Sequence, residues 1–234
     1  GISQDAHEIL TEFPSDPDEL FEYDAVVAFD PDWEAFTDEQ VRRYQAVLAD
    51  LEAEGIEVPC RHASNSAGAL AHPDARFDLV RLGIVVYGLP PSAEGPGPPG
   101  LRPAMALRAR VSHVKRVAAG ERVSYGLRHE FGRDATVATV PLGYADGVPR
   151  RLSGVGGEVL VGGRRRPIVG VITMDQLMVD CGDDAVAVGD EVVLIGRQGD
   201  EAVTANEWGD RLGTIGYEVV CGIGPRVPRV YREA

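Results

Sequence analysis

The chain predicts two parts of different class: an α/β portion followed by a mostly β domain. Three observations carry this. Residues 1–90 alternate strand-like apolar runs with a well-marked helix. The stretch "GLPPSAEGPGPPG" (88–100) holds four glycines and five prolines in thirteen residues, which neither a helix nor a central strand tolerates. Beyond it, short strand-like runs recur between Gly, Asp and Pro. The division is therefore residues 1–90, a Pro/Gly-rich linker at 91–100, and a β-rich domain at 101–234.

Residues 1–24 are acidic and weakly patterned, and "AVVAF" (25–29) reads as a short buried strand. Thr37 and Gln40 then fit a capping box, in which each side chain satisfies an orphan backbone N–H. Val41, Tyr44, Leu48 and Leu51 share one helical face, and Gly55 supplies the stop. "EVPCRHASNSAGAL" and "FDLVRLGIVVYG" read as strand-then-loop units on either side of a short helix. The β-rich part offers "MALRARVSHVKRV", "ERVSYG", "TVATVPLGYA", "EVLVGG", "RPIVGVITM" and "DEVVLIG" as strands. One helix interrupts them, capped by Thr204 with Glu207 three residues on, and ending near Leu212. No internal repeat is present.

The net charge of −14 disfavours nucleic acid and anionic membrane as partners, because their phosphates repel an acidic surface. Cys60, Cys181 and Cys221 are an odd number without CxxC or Cys/His spacing, which argues against a disulfide framework and a zinc site and for the cytoplasm. No signal peptide is evident, and no apolar run approaches the ~18 residues of a membrane span. The chain begins with Gly1 rather than Met, as a fragment or a processed chain would.

Several stretches could carry chemistry. "RHASNSAG" (61–68) sets His62, Ser64, Asn65 and Ser66 before small residues, as a capped polar loop or as an anion site. In "LVRLGIVVYG" (79–88), Arg81 interrupts an apolar run just before Gly83. An arginine in a buried strand needs a partner, either one of the many carboxylates or a ligand across the strand end. Tyr125 stands beside Gly126, and Tyr144, Asp146 and Arg150 share a glycine-bounded turn. Met174, Asp175 and Gln176 interrupt another apolar run. A tyrosine serves as a general base where a nearby cation lowers its pKa, and otherwise each of these is a turn or edge residue. No Ser-His-Asp order, Walker loop or HExxH helix occurs. Lys115 in "SHVKRV", the only lysine, reads as a solvated residue near a strand end.

The combination is more specific than its parts. "HASNSAG", "FDLVRLGIVVYGLPPS", "ALRARVSHVKRVAAGERVSYG", "ATVPLGYADGVPRRLS", "VLVGGRRRPIVGVITMDQLMVD", "GDEVVLIGRQG" and "TIGYEVVCGIGPRVPRVY" resemble, in order, the bacterial alanine racemases. The likeness runs from about Thr37 to Tyr231. It implies a partial TIM barrel that binds pyridoxal 5′-phosphate (PLP), followed by a mostly β C-terminal domain. It also implies interconversion of L- and D-alanine by a two-base proton exchange, supplying D-alanine for the cell wall. Ser66, with the backbone of Gly83 and Ile84, would hold the cofactor phosphate. Arg81 would donate to the pyridine nitrogen, supported by His62. An arginine does not protonate that nitrogen, so the ring stays a weaker electron sink. Tyr125 would be one of the two bases. The Met174 amide would hold the substrate carboxylate beside Asp175, and Tyr144 would line the entrance. In that family the residues matching Tyr125, Tyr144 and Met174 act on the other subunit's cofactor, which implies a homodimer.

The resemblance breaks at the second base. The family's Schiff-base lysine lies on the first barrel strand, in a motif this chain lacks, and Lys115 matches a position in the β domain. Gly1–Gln4 puts glutamine where the family has a substrate-binding arginine. "AVVAFDPDW" has no ring-stacking histidine, and Pro225 stands at the family's phosphate-binding tyrosine. A non-catalytic binding or dimerisation module derived from a racemase is the alternative reading.

Overall fold

The computed structural model describes residues 38–91 and 100–232. Helix α1 (Asp38–Ala53) turns Val41, Tyr44, Leu48 and Leu51 to its covered side, with Val41 buried. It ends at Gly55 (φ +78°), where the Gly55 amide donates to Glu52 and that of Ile56 to Leu51. This is a Schellman stop, and Gly is the residue that reaches that φ without strain. Thr37 and the "AVVAF" strand lie outside the described residues.

The expected strands on either side of the short helix do not form. Residues 56–64 and 77–83 contain no strand. Two backbone bonds join them side by side, Asp78 N–H to Arg61 O (3.0 Å) and Arg81 N–H to Ser64 O (2.9 Å). The Arg61 guanidinium clamps the Asp78 carboxylate at 2.8 and 3.0 Å and pulls its pKa down to about 2. Parallel pairing needs a ladder of such bonds, and two do not make one. Between these segments lies helix α2 (Ser66–Ala71), capped by Asn65 Oδ1 on the Gly68 amide at 3.0 Å.

The β-rich part is a sheet whose ends meet. It comprises β1 (Leu107–Arg110), β2 (His113–Val117), β5 (Ala135–Val140), β6 (Glu158–Val161), β7 (Arg164–Val169), β8 (Leu177–Asp180), β9 (Glu191–Gln198) and β10 (Glu201–Val203). The order is β1-β9-β6-β7-β8-β5-β2, all antiparallel, with β10 added to β9. The run "MALRARVSHVKRV" reads as one strand in sequence, but it bends at Val111–Ser112. Val111 donates to Asp190 O on the β9 side and Ser112 to Thr139 O on the β5 side, both at 2.9 Å. The two ends of the sheet are thus one stretch of chain, and the sheet returns on itself. Lys115 is the middle residue of β2, exposed opposite Val137. A separate hairpin, β3 (Arg122–Val123) and β4 (His129–Glu130), carries Tyr125 in its turn.

Inside lie Leu160, Leu177, Leu194, Val140, Val159, Val179 and Trp208, all nearly or fully buried. Ile84 and Leu89 join the same core, so residues ahead of Pro90 already pack with the β-rich part. Helix α3 (Ala205–Leu212) is capped as expected, Thr204 Oγ accepting the Glu207 amide at 3.0 Å. A second helix, α4 (Gly216–Gly222), packs against it and corrects the expectation of one. Its "GYEVVCG" has β-branched, glycine-flanked chemistry that favours strand, and the contact with α3 overrides it. Arg165 on β7 binds Glu207 (2.7 Å), Glu158 and Glu201 (both 3.2 Å), fastening α3 to the sheet. No helix among the described residues is long and apolar enough to cross a membrane.

Two outcomes follow. The Arg165 hydrogen bond holds the Glu207 carboxyl below its usual value. Its contribution is complete above the unfolded value of about 4.3 and fades as pH falls through the lower folded value. Urea melts of the wild-type chain should therefore lose more stability than those of Glu207→Gln as the pH is lowered from about 5. Burial raises the Cys181 thiol pKa, while Cys60 and Cys221 are exposed. A thiol reagent should titrate two cysteines in the folded chain and a third only in denaturant.

Candidate active site

The first group of candidate residues gathers around α2. Ser66 is 4% exposed, and its Oγ accepts the Gly83 amide at 2.9 Å. That leaves the hydroxyl proton free to donate elsewhere. Ile84, 2% exposed, opens a short 3-10 turn (Ile84–Tyr87), and its amide has no partner among the described residues. The loop is held from behind by Ser64, fully buried, which donates to Ala75 O at 2.6 Å. A Cβ on Gly83 would meet only Ser66 Oγ at 3.9 Å, so the space above Gly83 is open.

Arg81 corrects one expectation. It lies on no strand and is exposed, so desolvation does not dictate its partner. One guanidinium nitrogen lies 2.6 Å from His62 Nδ1 and another donates to Ala63 O at 3.2 Å. Arginine only donates, so Nδ1 is the accepting nitrogen and the ring proton sits on Nε2. No carboxylate pairs with Arg81 among the described residues. The result is a fixed cation with no carboxylate partner among the described residues, on the same segment as Gly83, whose amide is bound by the Ser66 hydroxyl, and the unpaired Ile84 amide. That set suits an anion with a hydrogen-bond acceptor nearby.

The second group comes from three turns of the β domain. Tyr125 is 74% exposed on the β3–β4 turn. Its neighbour Ser124 has φ +69° and ψ 177°, a region almost reserved for glycine. The Ser124 hydroxyl donates to Val171 O and accepts the Val171 amide, both at 2.9 Å. That anchors the turn to the segment leading to Met174. Tyr144 and Met174 are half-exposed on the turns after β5 and β7. The Tyr144 amide donates to Thr173 O and that of Ala145 to Met174 O, both at 3.0 Å. The Met174 amide has no partner among the described residues. Asp175 is exposed and pairs with Arg226 at 2.7 Å, and Arg226 also reaches buried Asp146 at 3.3 Å.

The structure thus brings His62, Ser66, Arg81, Gly83 and Ile84 together, and separately Tyr144, Met174 and Asp175, with Tyr125 tied to the same backbone through Ser124. No hydrogen bond or ion pair among the described residues joins the two groups. Sequence reasoning missed Ser124 and Arg226. Ser124 gave no local sign, because its strain appears only in the backbone angles. Arg226 stands beside Pro225 in a stretch without periodicity, and its partners lie far away in sequence.

Gly143 makes a sharp test of the Tyr144–Met174 junction. A Cβ there would lie 2.3 Å from Thr173 O and 2.4 Å from Met174 O, both backbone atoms that have nowhere to move. Gly143→Ala should cost about 1–3 kcal/mol as overpacking, read by thermal melting, whereas Gly154→Ala, in open space, should cost much less.

Comparison with known proteins places the chain. Residues 104–231 match the family described as alanine racemase, C-terminal domain, and residues 4–91 the alanine racemase, N-terminal domain. An alanine racemase from Symbiobacterium thermophilum is 53% identical over 197 residues, covering 84% of this chain and 52% of that protein. One from Thermobifida fusca is 48% identical over 207 residues, covering 88% and 54%. Among solved structures, alanine racemase from Bacillus anthracis with bound L-Ala-P superposes with a TM-score of 0.77 at 42% identity, over 84% of this chain and 50% of that one. The Streptomyces lavendulae enzyme superposes at 0.76 and 46% identity, over 83% and 51%. The chain spans about half the length of the relatives it matches. It comprises sequence of the family's N-terminal barrel domain and of its mostly β C-terminal domain, and it belongs to the alanine racemase family of PLP-dependent isomerases.

Proposed function

We propose that this chain supplies the phosphate-binding, ring-binding and substrate-binding half of an alanine racemase site, and that the amine anchoring the cofactor comes from elsewhere. The observation that carries the reading is the fixed guanidinium of Arg81, held by His62 and Ala63 O and paired with no carboxylate among the described residues, two residues before the Gly83 amide that Ser66 binds.

The residues present fit PLP at two of its ends. Ser66 Oγ–H and the Ile84 amide are donors for a phosphate, and Arg81 is a donor for the pyridine nitrogen. The Gly83 amide is already given to Ser66. The aldehyde end finds no such match. The only lysine of the sequence is Lys115, exposed on β2, a strand paired among the described residues with β5 alone. When bound, PLP supplies an electron sink that acidifies the α-hydrogen of an amino acid.

Each residue then has a task. Arg81 holds the ring nitrogen without giving up its proton, because guanidinium stays charged at any physiological pH. His62 fixes the plane of that guanidinium. The Met174 amide receives the substrate carboxylate, and Asp175 stands beside it. The Tyr125 phenol oxygen removes or returns the α-hydrogen on one face, and Tyr144 narrows the approach. Tyr125 stands exposed on its turn, and, as the resemblance to the alanine racemases implies, it serves the cofactor of a second copy in a homodimer.

The test uses the purified chain and PLP. Borohydride reduction, which makes an amine–PLP adduct permanent, should leave no pyridoxyl group on Lys115 by peptide mass. A Lys115 adduct, or alanine racemisation by this chain alone, would sink the proposal. Arg81→Leu and Ser66→Ala should each weaken PLP binding about 10–100-fold, as loss of a hydrogen bond to a charged group does. Racemisation should arise when a lysine-bearing N-terminal barrel portion of a racemase is added.

A further inference from the structure

We propose that Arg226 is a positioning residue for the substrate-binding turn: through its ion pair with Asp175 it fixes the backbone around Met174 against the Tyr144 turn. The proposal rests on the reading that the Met174 amide receives a carboxylate.

The geometry separates two ends of one clamp. The inner end is Asp146, 6% exposed. Its Oδ2 accepts the Gly143 amide at 2.9 Å, and its Oδ1 faces Arg226 Nε at 3.3 Å. Both oxygens are thus committed inside the Tyr144 turn, and the backbone O of Asp146 accepts the Gly224 amide at 3.0 Å. The outer end is Asp175, whose side chain is 58% exposed and makes one ion pair, at 2.7 Å. Arg226 is held on a stiff segment of its own. Arg229 donates to Ile223 O (2.7 Å), Gly224 O (2.6 Å) and Val227 O (2.7 Å), which folds residues 223–229 into a compact loop. Gly147 packs on Gly222 so closely that a Cβ would lie 2.2 Å from its carbonyl oxygen.

The consequence is electrostatic. Asp146 and Asp175 face the same guanidinium from two different turns, so without it two like charges would be brought together, one of them buried. With it, the Met174 turn is drawn toward Gly143, where the bonds from Tyr144 and Ala145 close. The Met174 amide then points from a backbone fixed on both sides. A freely moving amide would lose ordering entropy on receiving a carboxylate, and the clamp removes that loss beforehand.

The chain has three methionines, Met105, Met174 and Met178, so methyl-13C labelling gives three signals. Met174→Leu assigns one, and 15N-tyrosine labelling reports the Tyr144 amide. Asp175→Asn opens the outer end without burying a charge, and should shift and narrow the Met174 methyl signal while Met105 stays in place. Hydrogen exchange of the Tyr144 amide should rise about two- to fivefold, the worth of an exposed ion pair. Arg226→Gln should do the same or more, and Arg226→Lys should recover part of it. Where Arg226→Gln unfolds, the double variant Arg226→Gln/Asp146→Asn removes the orphaned buried charge and serves instead. A Met174 signal and Tyr144 exchange rate unchanged in Asp175→Asn and in the foldable Arg226 variant would overturn the proposal. Addition of L-alanine with PLP separates the two claims. If the variants loosen Met174 but the ligands leave its amide shift unmoved in a 15N-methionine sample, the clamp stands and the carboxylate reading falls.

Discussion

The structure depends on one run of chain, Leu107–Val117, serving both ends of a single sheet. Its first half bonds to β9, its second to β5, and the bend at Val111–Ser112 feeds one amide to each side. An open antiparallel sheet leaves unpaired edges that invite pairing with other chains. Here the path through β9, β6, β7, β8 and β5 starts and finishes on that one bent segment, whose two halves each pair on a single side among the described residues. The enclosed side chains, from Leu160 to Trp208, then have a definite interior to fill. The turns that leave β5 and β7 start from fixed strands, and Tyr144 and Met174 ride on them.

The site chemistry divides along the same line as the fold. Around α2, the donors are a hydroxyl, an amide and a guanidinium, all suited to an anion and an aromatic nitrogen. On the β-domain turns, the groups are two phenols, a free amide and a carboxylate pinned by arginine. In the proposed function the first set would bind and hold the cofactor, while the second would handle a substrate and a proton. Neither set contains an amine with the burial or cationic surroundings that a reactive lysine requires.

Local chemistry was legible in the sequence, and long-range chemistry was not. The caps at Thr204 and the stop at Gly55 depend on residues a few positions apart, and both stand where the spacing put them. The glycine-bounded Tyr144 turn was legible for the same reason. The expected strands at 56–64 and 77–83 depend on partners to complete a ladder, and only two bonds are present. Helix α4 was missed because its valines prefer strand and its reason for being helical is α3. The apolar residues around Arg81 suggest burial, yet Leu79 and Leu82 are themselves exposed, and the run turns inward only from Ile84. Arg226 was illegible in principle, since its partners Asp146 and Asp175 are brought to it only by folding.

Ser124 has one more implication. Around Tyr125, Ser124, Gly126 and Leu127 all carry positive φ, at +69°, +72° and +50°. At Ser124 and Leu127 such a knuckle has little torsional slack, since a residue with a Cβ leaves these wells only across sterically forbidden ground. The hydroxyl's paired bonds to Val171 lock the same angles from outside. The aromatic ring is therefore carried like a lever on a seized hinge. Its oxygen can travel only by swivelling about the two side-chain bonds, sweeping a small arc whose centre the backbone has already chosen.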